Sequence, residues 1–276
     1  MPGTLYLVPT PIGNLGDISQ RCRDTLEQAD FIAAEDTRVS LKLLNHLNIK
    51  KPLVSYYEHN RAESGQRILE PILAGETCAL VSDAGSPAIS DPGEDLVALC
   101  AANGIVVSAI PGPCAVITAL SISGLPTGRF TFEGFLSTNK KNRQEHLQEL
   151  AGEQRTMIFY EAPHKLLNTL QDLLNAFGPD RRISLCRELT KLHEEVIRTT
   201  LQGALDHYQE QAPRGEYVLV LEGAEPPEEE ELTVEKALSL VAVKMEQGLS
   251  RKDAVKQVAK ETGFPKNALY DAALQL

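Results

Sequence analysis

The sequence predicts an α/β protein: two α/β domains, the first on a parallel sheet and the second on a mixed sheet, followed by a helical tail. Three observations predict it. Up to residue 124 a short apolar run, a loop rich in Gly, Pro and acidic residues, and a segment of helical periodicity recur in turn, as βα units do. From Phe130 the apolar runs are set differently and some alternate, which implies antiparallel pairing. Beyond an acidic, proline-containing stretch at 225–231, only helical patterns remain.

The first five strands are expected at 5–8, 31–34, 53–56, 78–81 and 105–110. Their hydrophobicity is continuous, as in parallel strands buried on both faces. Ser19 caps the first helix, Asn60 with Glu63 opens the third, and Gly75 and Gly104 close helical stretches. This first domain is assigned 1–124, and Leu125-Pro126-Thr127-Gly128 reads as a connection. The second domain, 125–224, carries strands at 130–135, 156–160, 183–187, 195–201 and 217–221 and a helix near 164–176. The linker 225–231 precedes a tail at 232–276. That tail has three helical stretches, separated by Gly248 with Ser250 as an N-cap and by Gly263 with Pro265 in a first turn. Ala254, Val255, Val258, Ala259, Leu269, Tyr270 and Ala273 are expected to share one apolar face there, at helix-turn-helix spacing.

Composition narrows the function. At 276 residues, 42% hydrophobic and 24% charged, the chain is long and apolar enough to fold as about two domains. It holds no run of roughly 20 apolar residues and no basic leader, so a cytoplasmic location without a membrane is expected. Five scattered cysteines, with no CxxC pair and no clustered histidines, point to reduced thiols and to no metal site. A net charge of −11 opposes non-specific nucleic-acid binding over the whole surface. Positive charge is instead local: Lys140, Lys141 and Arg143, then Lys165, Arg187 and Lys191, and a tail whose seven Lys and Arg outnumber its five Asp and Glu.

In an open parallel sheet, ligands bind beyond the carboxyl ends of the strands. The loops there are 9–17, 35–38, 57–60, 82–93 and 111–115, and they hold most of the unusual sequence. The first matches neither a Walker loop nor the GxGxxG fingerprint. The fourth bends on Gly85 and Gly93 and carries Asp83 and Asp91, which suits a nucleoside-like ligand. Asp91-Pro92 also fits a helix start, with Asp91 as cap. Glu35, Asp36 and Arg38 equally fit an ion-pair and cap network.

Those five loops, with Tyr160-Glu161-Ala162-Pro163-His164-Lys165, Arg187-Glu188-Leu189-Thr190-Lys191 and Arg214-Gly215-Glu216-Tyr217-Val218, resemble the tetrapyrrole-methylase superfamily. Within it, they look most like the branch that methylates a cytidine ribose 2′-hydroxyl of 16S rRNA in the small ribosomal subunit. The resemblance implies S-adenosylmethionine as methyl donor, bound in a cleft between the two α/β domains, usually in a homodimer. It carries donor binding onto Pro11, onto Asp83, Ala84, Gly85, Ser86 and Pro87, and onto Gly112, Pro113, Cys114 and Ala115. Cys114 departs from the Ser usual in the family, and a thiol is a weak hydrogen-bond partner. Methyl transfer to a ribose hydroxyl needs alignment and a proton acceptor but no metal. His59, Asp36, Glu35 and Glu58 are the candidate bases, Arg38 the candidate phosphate clamp, and Asn60 belongs to the same acceptor loops. Two other readings stay open: methylation of a small tetrapyrrole, and a ligand-sensing regulator with a DNA-binding tail.

Overall fold

The structure, a computed structural model, describes residues 1–226 and 233–274; the side chains of His59 and Ala62 also lie outside the described set. Most of the acidic stretch expected as a linker thus falls outside the described residues. The chain divides into two compact units, Met1–Ala224 and Glu225–Leu276.

In the larger unit, β1 (Thr4–Leu7), β2 (Phe31–Ala34), β3 (Leu53–Ser55), β4 (Cys78–Val81) and β5 (Val106–Ala109) form one sheet in the order β3-β2-β4-β1-β5. Every pairing is parallel. The helices α1 (Gln20–Gln28), α2 (Thr37–His46), α3 (Arg61–Leu73) and α4 (Glu94–Ala102) alternate with the strands. Ile68 and Ile72 of α3 and Leu96 of α4 pack on one face against Leu5, Phe31 and Leu80. Cys22 and Leu26 of α1 and Leu44 of α2 pack on the other against Ile32, Ala34 and Val81. Both faces are therefore dry, and β2 and β4 are buried at all four residues. Truncating a fully buried side chain such as Leu26 to Ala would cost about 2–5 kcal/mol. The edge strand β5 departs from the expected continuous burial, with Val106 64% exposed.

The helix after β5, α5 (Ala115–Ile122), packs on the second sheet. That sheet holds β6 (Phe130–Phe135), β7 (Thr156–Glu161), β8 (Arg182–Arg187), β9 (Glu195–Thr200) and β10 (Tyr217–Leu221), in the order β6-β7-β10-β8-β9. Only β6 and β7 pair in parallel; the rest are antiparallel, so the sheet is mixed. Ile158, Cys186, Val218 and Val220 meet Val116, Ala119 and Leu120 of α5 on one face. Met157, Phe159, Leu185 and Leu219 on the other meet α6 (Lys140–Glu149), α7 (Leu166–Phe177) and α8 (Leu201–Glu210). Burial on both faces explains why β10 reads Tyr-Val-Leu-Val-Leu without alternation.

The smaller unit contains α9 (Val234–Glu246), α10 (Arg251–Thr262) and α11 (Lys266–Ala273). The Ser250 hydroxyl accepts from the Asp253 amide at the start of α10, and Gly263 ends it in the left-handed region at φ 72°. Pro265 is the cap of α11 and not part of its first turn. Ala237, Val241, Ala254, Val255, Val258, Leu269 and Ala273 form the core. Tyr270 does not share that face: the inward stripe of α11 runs through Leu269 and Ala273, four apart, and turns the next residue outward. Among the described residues, no helix is long and apolar enough to cross a membrane.

Candidate functional site

The loops after β1, β4 and β5 are tied to one another. Thr10 and Gly85 exchange backbone hydrogen bonds of 2.9 and 3.0 Å. The Thr10 hydroxyl donates to the Ser82 carbonyl at 3.1 Å, and the Ser86 hydroxyl to the Pro113 carbonyl at 3.1 Å. Gly85 sits at φ 88°, with room for an added Cβ only 3.3 Å from Ile12. At Gly112 an added Cβ would come within 2.9 Å of Pro9. These contacts fix loop positions before any ligand arrives.

Beyond the tied loops lies a cavity of about 510 Å³, within the usual 300–1,000 Å³ of ligand sites. Ile12, Asp83, Ala84, Gly85, Ser86, Cys114 and Ala115 line it from the first sheet. Phe135, Tyr160, Glu161, Leu189 and Tyr217 line it from the second. Of the residues expected to bind a donor, Pro11, Pro87, Gly112 and Pro113 are not among those lining it. Four non-glycine residues, Ala88, Ser90, Glu188 and Thr190, hold φ between 51° and 68°, all in two loops at the cavity. Each such residue costs about 1–3 kcal/mol, and such strain collects where loops are shaped for ligands.

The cavity wall is acidic. Glu35, Asp83 and Asp91 all line it. Burial pushes the Asp91 carboxyl up to about 6; the Ser82 hydroxyl acts against this and the Asp83 charge adds to it. Glu35 is raised by burial and by the neighbouring Asp91 and Asp83 charges, and Asp83 is raised by burial. Asp91 is not a helix cap: α4 starts at Glu94 with Gly93 at the cap, at φ 152°. The helix therefore begins too late to use it, and Asp91 faces the cavity instead.

The remaining expected site residues are placed differently. Asp36 caps α2, accepting from the Arg38 amide at 2.8 Å, and pairs with the Arg38 guanidinium at 2.6 Å. The Asp36 amide donates to Asp83 Oδ1 at 3.1 Å, so this cap network borders the cavity without lining it. Arg38 is 87% exposed. The Asn60 side chain accepts from the Tyr57 amide at 2.8 Å and donates to the Ser55 carbonyl at 3.2 Å, holding a turn closed. His59 lies in that turn, Glu58–Asn60, and its side chain falls outside the described residues.

Sequence reasoning assigned no role to Tyr160, Glu161, Leu189 or Tyr217, although their motifs had been singled out. Glu161, buried at the wall, accepts from the Ala162 amide at 2.8 Å and from the Thr169 hydroxyl. Thr169 in turn accepts from Arg143 at 2.8 Å, and Arg143 pairs with Asp172 at 2.6 Å. Arg143 is only 12% exposed and so belongs to this chain of contacts rather than to a free basic surface. Arg187 is paired with Glu195, and Lys191 with Glu188 and Glu216. Lys140 and Lys141 are exposed.

A parallel sheet whose tied strand-end loops face a second, mixed sheet across an acidic cavity defines a two-sheet α/β protein with a ligand site between its sheets. The chain belongs to the family described as Tetrapyrrole (Corrin/Porphyrin) Methylases, whose model matches residues 4–205, and it is a methyltransferase. Residues 230–276 match the RsmI C-terminal HTH domain. A Synechocystis relative named Ribosomal RNA small subunit methyltransferase I is 50% identical over 99% of this chain and 98% of its own. A Halalkalibacterium halodurans relative of the same name is 49% identical over 98% of this chain and 94% of its own. In fold, the chain is similar to uroporphyrin-III C-methyl transferase from Thermus thermophilus complexed with S-adenyl homocysteine, with TM-score 0.56 and 18% identity over 80% of this chain and 97% of the other.

Proposed function

We propose that the chain transfers a methyl group from S-adenosylmethionine to the ribose 2′-hydroxyl of a cytidine in 16S rRNA of the small ribosomal subunit, in the cytoplasm and as a homodimer. The observation that carries the reading is full-length likeness, at 44–50% identity, to relatives named Ribosomal RNA small subunit methyltransferase I. The tetrapyrrole reading has behind it the family's description over residues 4–205 and solved structures of under 25% identity, which speak for the fold alone.

The cavity fits the donor. Its volume suits a nucleoside with an amino-acid arm, and Glu35, Asp83 and Asp91 oppose a ligand that carries an ammonium and a sulfonium. When bound, the donor supplies an electrophilic methyl carbon. Asp83, Ala84, Gly85, Ser86, Cys114 and Ala115 hold it directly, while Pro11, Pro87, Gly112 and Pro113 set the loops. Catalysis then comes mainly from alignment, which the tied loops provide in advance. Of the candidate bases, Glu35 lines the cavity, and burial together with the Asp91 and Asp83 charges raises its carboxyl above the usual range, which makes it a better proton acceptor for the hydroxyl. Asp36 holds Arg38 toward the acceptor phosphate, and His59 and Asn60 complete the acceptor loops. Division of labour follows the predicted boundaries: 1–124 for donor and acceptor loops, 125–224 for the opposite wall, 225–231 as linker and 232–276 for docking the ribosomal substrate.

The test offers methyl-labelled donor with small subunits lacking the modification, with naked 16S rRNA and with a porphyrinogen. Label mapped to one cytidine ribose supports the reading. Label on the porphyrinogen and none on RNA would overturn it.

A further inference from the structure

Phe135 is the last residue of β6 and is 59% exposed, yet it lines the cavity. In an unbroken strand, residues 132 and 135 would point to opposite faces. Here the pairing of β6 with β7 shifts register between Phe132 and Gly134, and Gly134 takes φ 63°. That bulge inserts a residue and turns Phe135 onto the side of Phe132. Both rings now meet Tyr160 edge to face, at centroid distances of 5.0 and 5.5 Å. The tip of the 82–93 loop borders the same mouth. Ser90 Oγ lies 3.7 Å from the point where a Gly134 Cβ would be, and Ile89, 48% exposed, also lines the cavity.

The fold thus breaks a strand ladder in order to aim an aromatic ring toward the cavity, and braces that ring edge to face on the half-buried Tyr160. Phe135 and Ile89 are both exposed and both line the cavity, and apolar surface gathered at a ligand groove marks a binding surface. A π face and an aliphatic side chain lining the same cavity suit a planar, uncharged heteroaromatic group. A ribose hydroxyl inside a base-paired or stacked strand is hard to reach, and single-stranded RNA is recognised by splaying bases onto aromatic side chains.

We propose that Phe135 is the stacking surface for a nucleobase of the acceptor RNA, holding the target nucleotide at the cavity mouth that Ile89 also lines. The inference rests on the RNA reading above. A second source of such a ring is the adenine of the donor. The acceptor base is favoured because Phe135 sits on the exposed rim, contributed by the second sheet, whereas the residues assigned to the donor line the wall from the first sheet.

Three variants test it on small subunits with steady-state kinetics, alongside calorimetry of donor binding. Phe135→Ala and Phe135→Leu should each raise KM for subunits about tenfold or more, the loss of one base–aromatic stack, with kcat within about twofold. Phe135→Tyr should restore KM. Donor affinity should stay constant in all three. A Phe135→Leu enzyme with wild-type KM would overturn the proposal, since bulk and not a π face would then suffice. Donor affinity falling in parallel with KM would assign the ring to adenine and likewise overturn it. Wild-type enzyme that labels no RNA sinks the RNA reading and this proposal together, whereas wild-type labelling with an unaffected Leu variant sinks the stacking alone.

Discussion

Asp91→Asn should stabilise the ligand-free protein, and the gain should depend on pH. The carboxyl is shifted from 3.8 to about 6, chiefly by burial. A raised carboxyl contributes no penalty below its unfolded value. Stability is lost as pH rises through 3.8 toward 6, and the full loss persists above. At about 1.4 kcal/mol per pH unit, the difference amounts to about 3 kcal/mol. Partial access to solvent at the cavity wall reduces that to roughly 1.5 kcal/mol at pH 8. The amide carries no such penalty. For a folded unit of this size, the gain raises Tm by about 3–6 °C. At pH 4.5, where the wild-type carboxyl is protonated in the folded state, the advantage should fall to about a third. The chain has no tryptophan, so melts are best followed by far-UV circular dichroism. An equal Tm shift at both pH values, or a fall at pH 8, would refute the argument. The same variant should bind the cationic donor more weakly at pH 8, because the charge that costs stability is the one that serves the ligand.

Arg38→Ala should lower turnover on small subunits while leaving donor affinity and Tm nearly unchanged, since its guanidinium is exposed and pairs with Asp36; a parallel loss of donor affinity would reassign it. Gly112→Ala should weaken donor binding about tenfold by calorimetry, because its Cβ would sit 2.9 Å from Pro9 and force the first and fifth loops apart. Unchanged affinity would mean that the loops separate freely. Removal of residues 232–276 should leave a soluble protein with normal donor affinity and poor activity on subunits; full activity would exclude the tail from docking.

The strands of the first sheet were legible because burial on both faces leaves an uninterrupted apolar run, as in Phe31 to Ala34 and Cys78 to Val81. Caps at Ser19, Ser250 and Gly263 were legible because each is a local interaction within three or four residues. The cavity was only half legible. Asp83 and Cys114 stand at strand ends that any parallel sheet gathers on one edge. Tyr160, Glu161 and Tyr217 reach the same space only because α5 leaves its own sheet to pack on the other, a long-range event that no local pattern encodes. Asp91 was ambiguous because Asp-Pro-Gly-Glu fits a helix start, and the helix begins at Glu94 instead. Phe135 gave no signal, since a bulge at Gly134 reverses the facing that strand alternation would assign.

The chain of contacts from Asp172 through Arg143 and Thr169 to Glu161 connects an outer helix face to the cavity wall. Asp172 is 42% exposed and, taken alone, would pass as a residue free to vary. Its loss would leave a nearly buried guanidinium whose remaining partner, among the described residues, is the Thr169 hydroxyl and, behind it, Glu161. Drift at that outer position is therefore constrained by the shape of the ligand site. A survey of tolerated substitutions should find Asp172, Arg143 and Thr169 changing together or not at all, even though Asp172 and Arg143 do not line the cavity.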